Sequence, residues 1–413
     1  MKIGIVAWDL NISGGTQRQA LELAINLQKI GHKVKVYTIY YDKEKCYPDL
    51  LNKLDIKYLY SDNRDDLSRR NDSLLKRVSV KVFSYWIQLL KSENLYVSLT
   101  DLIDEDLDLL CCHDYGVYPV GAKYKIKTGV PAVWQMNDLP IYKANFNNLK
   151  GIIKFVLSPI RGEIFFRLRH TGYIKRVDKI VVMDYLNKNK LKDNLGLESV
   201  IVRNGVDIRQ FKFNERMASG SKLKILSNGI FFLHRRLEDL IRAVRIVKDR
   251  RVEFELNHIG SDERCRWYAG KIYNMVKDFR LAGCIVFHGH VSEERLIELY
   301  STSDIFVFPN YPQTWGLAVF EAMSCGTPVV VSTGCGASEM LTDGENALLV
   351  PPESPDKIAD AIIRLKDNPD LWQKLSINGR KFVEENIRWD LYAENMMTVF
   401  NEVLGEKTTS RLA

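Results

Sequence analysis

Asn310-Tyr311-Pro312-Gln313-Thr314-Trp315-Gly316-Leu317-Ala318-Val319-Phe320-Glu321-Ala322-Met323-Ser324-Cys325-Gly326-Thr327-Pro328-Val329-Val330-Val331-Ser332 reads as a strand end, a glycine-containing loop, a short helix, a glycine stop and a buried strand. Gly316 stands where the loop enters the helix. Unpaired backbone N–H groups and the positive end of the helix dipole meet there, so an anion is favoured. Glu321 follows five residues later, roughly 7.5 Å along the axis at about 1.5 Å per residue. That is about the reach from a diphosphate to the ribose beside it, and a carboxylate can accept both vicinal ribose hydroxyls. On local chemistry alone, a plain turn at Gly316 and a solvated carboxylate at Glu321 are as well supported as a nucleoside diphosphate site.

The segment is followed by Gly334-Cys335-Gly336-Ala337-Ser338-Glu339 and by Asp343-Gly344-Glu345-Asn346-Ala347-Leu348-Leu349-Val350. Together these stretches resemble the retaining glycosyltransferases of family 4, the glycosyl transferases group 1. The resemblance implies the GT-B fold, an α/β architecture of two Rossmann-like domains facing each other across a cleft. The family signature is Glu, seven residues, Glu, which falls here on Gln313 and Glu321. It implies that Glu321 holds the ribose and that position 313 faces the donor sugar. Gln313 departs from the pattern, with an amide in place of the acid.

Outward from this segment, apolar strands alternate with helical patterns in two halves, the sign of parallel α/β sheets. The first half offers Ile3–Ala7, Val34–Ile39, Leu107–Cys112, Pro131–Gln135 and Lys179–Met183. The second offers Lys224–Gly229, Phe254–Gly260, Cys284–Gly289, Ile305–Pro309, Pro328–Ser332 and Ala347–Val350. Most are rich in Val, Ile and Leu, as strands covered on both faces are. The turn signal Asn204-Gly205 marks the joint, and Asn204 to Asp207 resembles the family's interdomain segment; a strand-ending turn reads equally well. The domains are accordingly 1–205, an N-terminal acceptor domain, and 206–388, a nucleotide-sugar domain. Asp390 can cap a terminal helix from Leu391 with Met396, Val399, Phe400 and Val403 on one apolar face. In GT-B proteins the last helix returns to the first domain, so residues 390–405 are assigned there.

Composition bounds the alternatives. A 413-residue chain is long enough for two or three domains. At 46% hydrophobic and 27% charged it reads as a soluble globular protein. No run of 18 apolar residues spans a membrane, and Met1-Lys2-Ile3-Gly4-Ile5-Val6-Ala7-Trp8-Asp9 reads as a first strand and not a signal peptide. The seven cysteines are scattered without a Cys-x-x-Cys pair, which points to a reducing, cytoplasmic location and away from zinc. Residues 141–176 hold eight Lys or Arg against one Glu, a net of +7 that equals the charge of the whole chain. Within it, Leu149–Leu157 and Ile164–Arg169 interleave apolar and basic residues. Such a surface suits anionic lipid at the inner face of a membrane, and an ordinary core-facing helix reads as well. The charge is too local for a nucleic-acid-binding chain.

Four further motifs carry chemistry. Ser13-Gly14-Gly15-Thr16-Gln17 follows the first strand and opens a helix at Gln19; it is a phosphate-facing loop under the resemblance and a simple turn without it. Asn228-Gly229-Ile230-Phe231-Phe232-Leu233-His234-Arg235-Arg236-Leu237-Glu238-Asp239 pairs two arginines that can fork onto phosphate oxygens, or onto Glu238 and Asp239. The family has Gly followed at once by Arg and five residues later by Lys, both on phosphates. Gly229 and Arg235 fit the Gly and the Lys, Ile230 occupies the Arg position, and Arg236 is the candidate to compensate. His113, ending the strand Leu109-Leu110-Cys111-Cys112, resembles a family histidine, and Asn137 stands where many relatives carry a histidine on the donor sugar; structural roles are open for both. Asp104-Glu105-Asp106 contains Asp-x-Asp but precedes a strand, so it reads as a solvated loop.

The reading is a retaining glycosyltransferase that moves a sugar from a nucleoside diphosphate sugar to a saccharide or lipid-linked saccharide, with no metal and no cofactor. His113, Gln313 and Glu321 form the catalytic set. Gly14, Gly15, Asn137, Gly229, Arg235, Arg236, Thr314, Trp315, Gly316, Leu317 and Glu321 form the donor set. The amide at Gln313 keeps open a non-catalytic subunit of the same fold. A sugar-nucleotide 2-epimerase shares the fold too, but proton abstraction from carbon needs an acid–base set that the sequence does not offer.

Overall fold

The computed structural model describes residues 1–61, 79–139, 163–216, 222–312 and 315–405, and their side chains except at 79–90 and 163–168. The chain divides into two compact units, Met1–Val202 with Tyr392–Ala413, and Arg203–Leu391. Gln313 and Thr314, expected at the donor, lie outside the described residues, and so does most of the basic stretch, 141–162.

The first unit is built on a parallel sheet of β1 (Lys2–Leu10), β2 (Lys33–Tyr41), β3 (Asp55–Tyr60), β4 (Leu109–His113), β5 (Ala132–Gln135), β6 (Lys179–Val182) and β7 (Val200–Ile201), in the order β3-β2-β1-β4-β5-β6-β7. Ile3, Ile5 and Val6 of β1 and every residue of β4 are buried, which is why both strands read as apolar runs. β3 escapes the apolar pattern because Asp55-Ile56-Lys57-Tyr58-Leu59-Tyr60 forms the sheet edge and is half exposed. β7 is too short to carry a pattern.

The second unit repeats the plan with β8 (Leu223–Asn228), β9 (Phe254–Ile259), β10 (Ile285–Gly289), β11 (Ile305–Phe308), β12 (Val329–Ser332) and β13 (Leu348–Val350), in the order β10-β9-β8-β11-β12-β13. Val329, Val330 and Val331 are fully buried, a burial worth roughly 1.5–3 kcal/mol for each side chain. The helix Leu237–Asp249 sets Leu237, Leu240, Ile241, Val244 and Val247 into the same core, while Glu238 and Asp239 in its first turn complement the dipole. Each sheet grows outward in both directions from its first strand. The direction reverses between β1 and β4 and between β8 and β11, and the crevice beyond the strand ends at such a reversal is where open α/β sheets bind ligands.

The terminal helix runs Trp389–Leu404. It begins before Asp390, so Asp390 is a first-turn residue and not the cap; its Oδ1 accepts from Leu391 N (3.0 Å). Tyr392, Met396, Val399 and Phe400 are buried. Tyr392 Oη donates to Gln135 Oε1 (3.3 Å) at the end of β5, and Lys179 pairs with Glu402 (3.0 Å). These contacts place the helix in the first unit's packing.

One close approach in the second unit is decided by backbone alone. A methyl group on Gly260 (φ 149°) would lie 2.1 Å from the carbonyl oxygen of Gly229. Neither partner is a flexible side-chain end, so the strand-end loops must part. Gly260→Ala is expected to destabilise the second unit by about 3 kcal/mol, lowering its calorimetric midpoint by roughly 6–12 °C; an unchanged midpoint would show that the loops can separate freely.

Candidate functional site

Two loops meet at the β8–β11 reversal of the second unit. β8 ends in Asn228 and leads into Gly229–Arg236; β11 leads into Asn310, Tyr311 and Pro312. The strands are paired (Ile305 with Ile225, Phe306 with Leu226), which brings the loops side by side, and Tyr311 N donates to His234 O (2.8 Å). Arg235 folds back over Gly229, where a methyl group would lie 3.0 Å from Arg235 Cδ. The Asn310 amide, oriented to match its neighbours, donates to Arg235 O (3.2 Å) and accepts from Arg235 Nη1 (2.9 Å). Arg235 Nε is buried without a hydrogen-bond partner among the described residues. Burial holds the guanidinium below the ordinary arginine range, opposed by Cys335. Among the described residues no carboxylate pairs with it. A part-buried cation with an enclosed, unpartnered Nε and no counter-charge carries a desolvation cost, and an anionic ligand would offset it.

Arg236 does something else. It occupies the left-handed region (φ 51°) and turns onto carboxylates: Asp239 (2.7 Å), Glu353 (2.9 Å) and Glu238 (3.7 Å). The expectation that it compensates for Ile230 on the phosphates is corrected: its charge is already spent within the protein.

Gly316 caps the helix Leu317–Ser324. Its φ of 155° and its surroundings both require glycine, since a Cβ would meet Cys335 Sγ at 3.0 Å and Phe308 at 3.1 Å. The N–H groups of Leu317 and Ala318 open the helix with no intrahelical acceptor. Trp315 is corrected too. It does not present its ring to a ligand; it is buried and stacks on Phe320 (4.9 Å between centroids), while its carbonyl accepts from Cys335 Sγ (3.0 Å). Glu321 lies one turn and a half along the helix, nearly buried, with Oε2 accepting from Tyr300 Oη (3.0 Å).

In the first unit, Gly14 is the cap of the helix Gly15–Lys29, which therefore starts four residues before the expected Gln19. A side chain on Gly15 would meet nothing within 4 Å, so the loop is open to a ligand's approach. Asn137 Nδ2 donates to Thr16 Oγ1 (3.1 Å), and its carbonyl accepts from Asn187 Nδ2 (3.0 Å), which ties Asn137 to this loop. The structure does not present His113 to a ligand. The side chain is fully buried, its Nε2 meets Cys111 Sγ (3.4 Å), and burial drives its pKa down to about 3, so it is neutral. Asp104 is held by Lys35 (2.7 Å) and Lys57 and Asp106 by Lys2 (2.5 Å), as a charged surface loop would be.

Against these geometries stand the known proteins. The Glycosyl transferases group 1 profile matches residues 208–382, and the Glycosyltransferase Family 4 profile matches residues 13–210. The chain belongs to the GT-B glycosyltransferases. This glycosyltransferase is 25% identical over 414 aligned positions to an uncharacterised glycosyltransferase of Methanocaldococcus jannaschii, covering 97% of this chain and 98% of the relative. Its fold matches the sucrose-phosphate synthase of Thermosynechococcus elongatus (TM-score 0.72, 18% identity, 98% and 99% of the two chains). It also matches HepE of Anabaena in complex with UDP and glucose (TM-score 0.72, 14% identity, 97% and 100%).

Sequence reasoning missed Asn228, Tyr300 and Asn310. A signal existed for the two asparagines: each is a polar residue at the C-terminal end of an apolar strand on either side of the reversal. Tyr300 carried none, being one aromatic in the amphipathic helix Glu293–Thr302.

Proposed function

We propose that the glycosyltransferase uses a nucleoside diphosphate sugar as donor, transfers the sugar with retention of anomeric configuration to a saccharide or lipid-linked saccharide, and needs no metal ion. The observation that carries this reading is Arg235, a part-buried cation whose Nε is enclosed and which has no carboxylate partner among the described residues; it and the helix start at Gly316 both neighbour Cys335. As the bond from the anomeric carbon to the diphosphate oxygen breaks, negative charge accumulates on the diphosphate. A preorganised guanidinium and the N–H groups of Leu317 and Ala318 favour that charge more than the ground state. They supply the positive field that a divalent ion would otherwise provide. The acceptor hydroxyl forms the new bond on the face that the diphosphate leaves, and its proton goes to the departing oxygen. No enzyme carboxylate is needed as nucleophile.

Glu321 orients the ribose, at the distance from Gly316 expected of a diphosphate and its neighbouring sugar. The complexes of HepE with UDP, with UDP and glucose, and with UDP-glucose support a nucleotide sugar as donor. Synthesis of a cell-surface polysaccharide or glycoconjugate, at the inner face of the membrane, fits the basic stretch 141–176.

The test is a panel of UDP-, GDP-, ADP- and dTDP-sugars incubated with the pure protein in EDTA, scored for released nucleoside diphosphate. Proton NMR of the product then gives the anomeric configuration. The expected result is release from one donor, undiminished by EDTA, with the configuration preserved. Activity abolished by EDTA and restored by a divalent ion would remove the metal-free reading, and an inverted product would remove retention.

A further inference from the structure

Tyr300 is fully buried in the helix Glu293–Thr302, with its ring against Phe211 (6.1 Å) and Phe306 (5.6 Å), both edge-on. Its backbone is fixed as well, because Tyr300 O accepts from Thr327 Oγ1 (2.5 Å). The hydroxyl is the middle of a chain. Asn228 Nδ2 donates to Tyr300 Oη (3.0 Å), and Tyr300 Oη donates to Glu321 Oε2 (3.0 Å). A phenol has one proton to give, so the direction is settled: the carboxylate accepts it, and the amide N–H of Asn228 donates to the hydroxyl oxygen's lone pair. Asn228 is the residue before Gly229, at the root of the loop that carries Arg235. The chain therefore joins the two ends of the site, the arginine loop on β8 and the carboxylate on the helix Leu317–Ser324.

We infer that Tyr300 is a positioning residue, which sets the Glu321 carboxylate for the ribose hydroxyls of the donor and holds it in register with the Arg235 loop. The inference rests on the proposed role of Glu321. A phenylalanine would fill the same aromatic space, so packing alone does not account for a hydroxyl at this depth. A buried carboxylate in the otherwise apolar helix Leu-Ala-Val-Phe-Glu-Ala-Met-Ser is tolerated only where partners satisfy it. Tyr300 is such a partner, and it constrains the carboxylate's rotamer from below the site.

The experiment is calorimetric titration of the full chain with UDP, GDP and ADP, followed by the 2′-deoxy counterpart of the tightest. The wild type is compared with Tyr300→Phe, Asn228→Ala and Glu321→Ala. The wild type is expected to prefer the ribonucleotide by roughly tenfold or more, and Glu321→Ala to erase that preference. Tyr300→Phe is expected to weaken the ribonucleotide roughly fivefold while leaving the 2′-deoxy ligand within about twofold. Asn228→Ala is expected to show the same pattern to a smaller extent. Tyr300→Phe in the Glu321→Ala background should then add nothing, because the group it positions is gone. If the wild type discriminates and Glu321→Ala does not, but Tyr300→Phe weakens both ligands equally or neither, the positioning role is wrong and the ribose reading survives. If the wild type does not discriminate, or binds no nucleotide, the ribose reading fails and the role of Tyr300 falls with it. Should Tyr300→Phe fold poorly, Asn228→Ala decides by the same ribose-against-deoxyribose comparison.

Discussion

Arg235→Met is expected to lower kcat/KM for the donor by about 10²–10³-fold, on the order of 3–4 kcal/mol of lost transition-state stabilisation. The unliganded protein should hardly notice. Removing a part-buried cation that lacks a carboxylate relieves part of a desolvation penalty, whereas the Asn310 amide loses the Nη1 donor 2.9 Å away. The two effects oppose each other, so the denaturant midpoint should move by less than about 1 kcal/mol. The split separates a functional arginine from a structural one. A structural arginine would lose stability when truncated, and its loss of activity would follow that loss of fold. Arg236→Met provides the contrast. It breaks ion pairs to Asp239, Glu353 and Glu238, so it should destabilise the fold and leave the donor step near the wild-type rate. Stability by urea titration and initial rates on the same samples decide the matter.

Glu321→Ala is expected to raise the donor KM by roughly 10–100-fold, the range for a charge-assisted pair of hydrogen bonds. It also strands the Tyr300 hydroxyl, which loses its acceptor 3.0 Å away; an unsatisfied buried hydroxyl costs about 1–3 kcal/mol. Here, then, activity and stability fall together, unlike at Arg235. Glu321→Gln separates them, since the amide oxygen still accepts from Tyr300 while the ribose loses a charged partner. Its stability should stay close to wild type with the KM still raised by roughly tenfold. A wild-type KM in Glu321→Gln would mean that no ribose hydroxyl meets this carboxylate.

The sheets were legible because strands buried on both faces cannot hide their composition: Val329-Val330-Val331 and Ile305-Phe306-Val307-Phe308 permit little else. The edge strand β3 was not, because Lys57 and Asp55 face water and break the run. Gly316 and Glu321 were legible as a spacing along a helix, which depends on no distant residue. What the sequence could not separate was Arg235 from Arg236. They are adjacent and chemically identical, and the left-handed backbone at Arg236 alone sends one to carboxylates and leaves the other without one. His113 failed for a similar reason. The strand-end rule brings it to the ligand edge, but it stands in register with Ala7 and Gln135 and its side chain is enclosed. Trp315 beside a glycine loop reads as a donor-set residue, but its ring is buried and stacked on Phe320. Tyr300 lay beyond sequence reasoning altogether, since its role comes from the crossing of two helices and a strand end far apart in the chain.

The most direct measurement is a crystal structure of the glycosyltransferase with the nucleoside diphosphate selected by the donor panel. The diphosphate should lie within hydrogen-bonding distance of the Arg235 guanidinium and the Leu317 N–H, with the ribose hydroxyls on Glu321. A diphosphate bound away from the β8–β11 reversal, or a ribose with no contact to Glu321, would contradict the account.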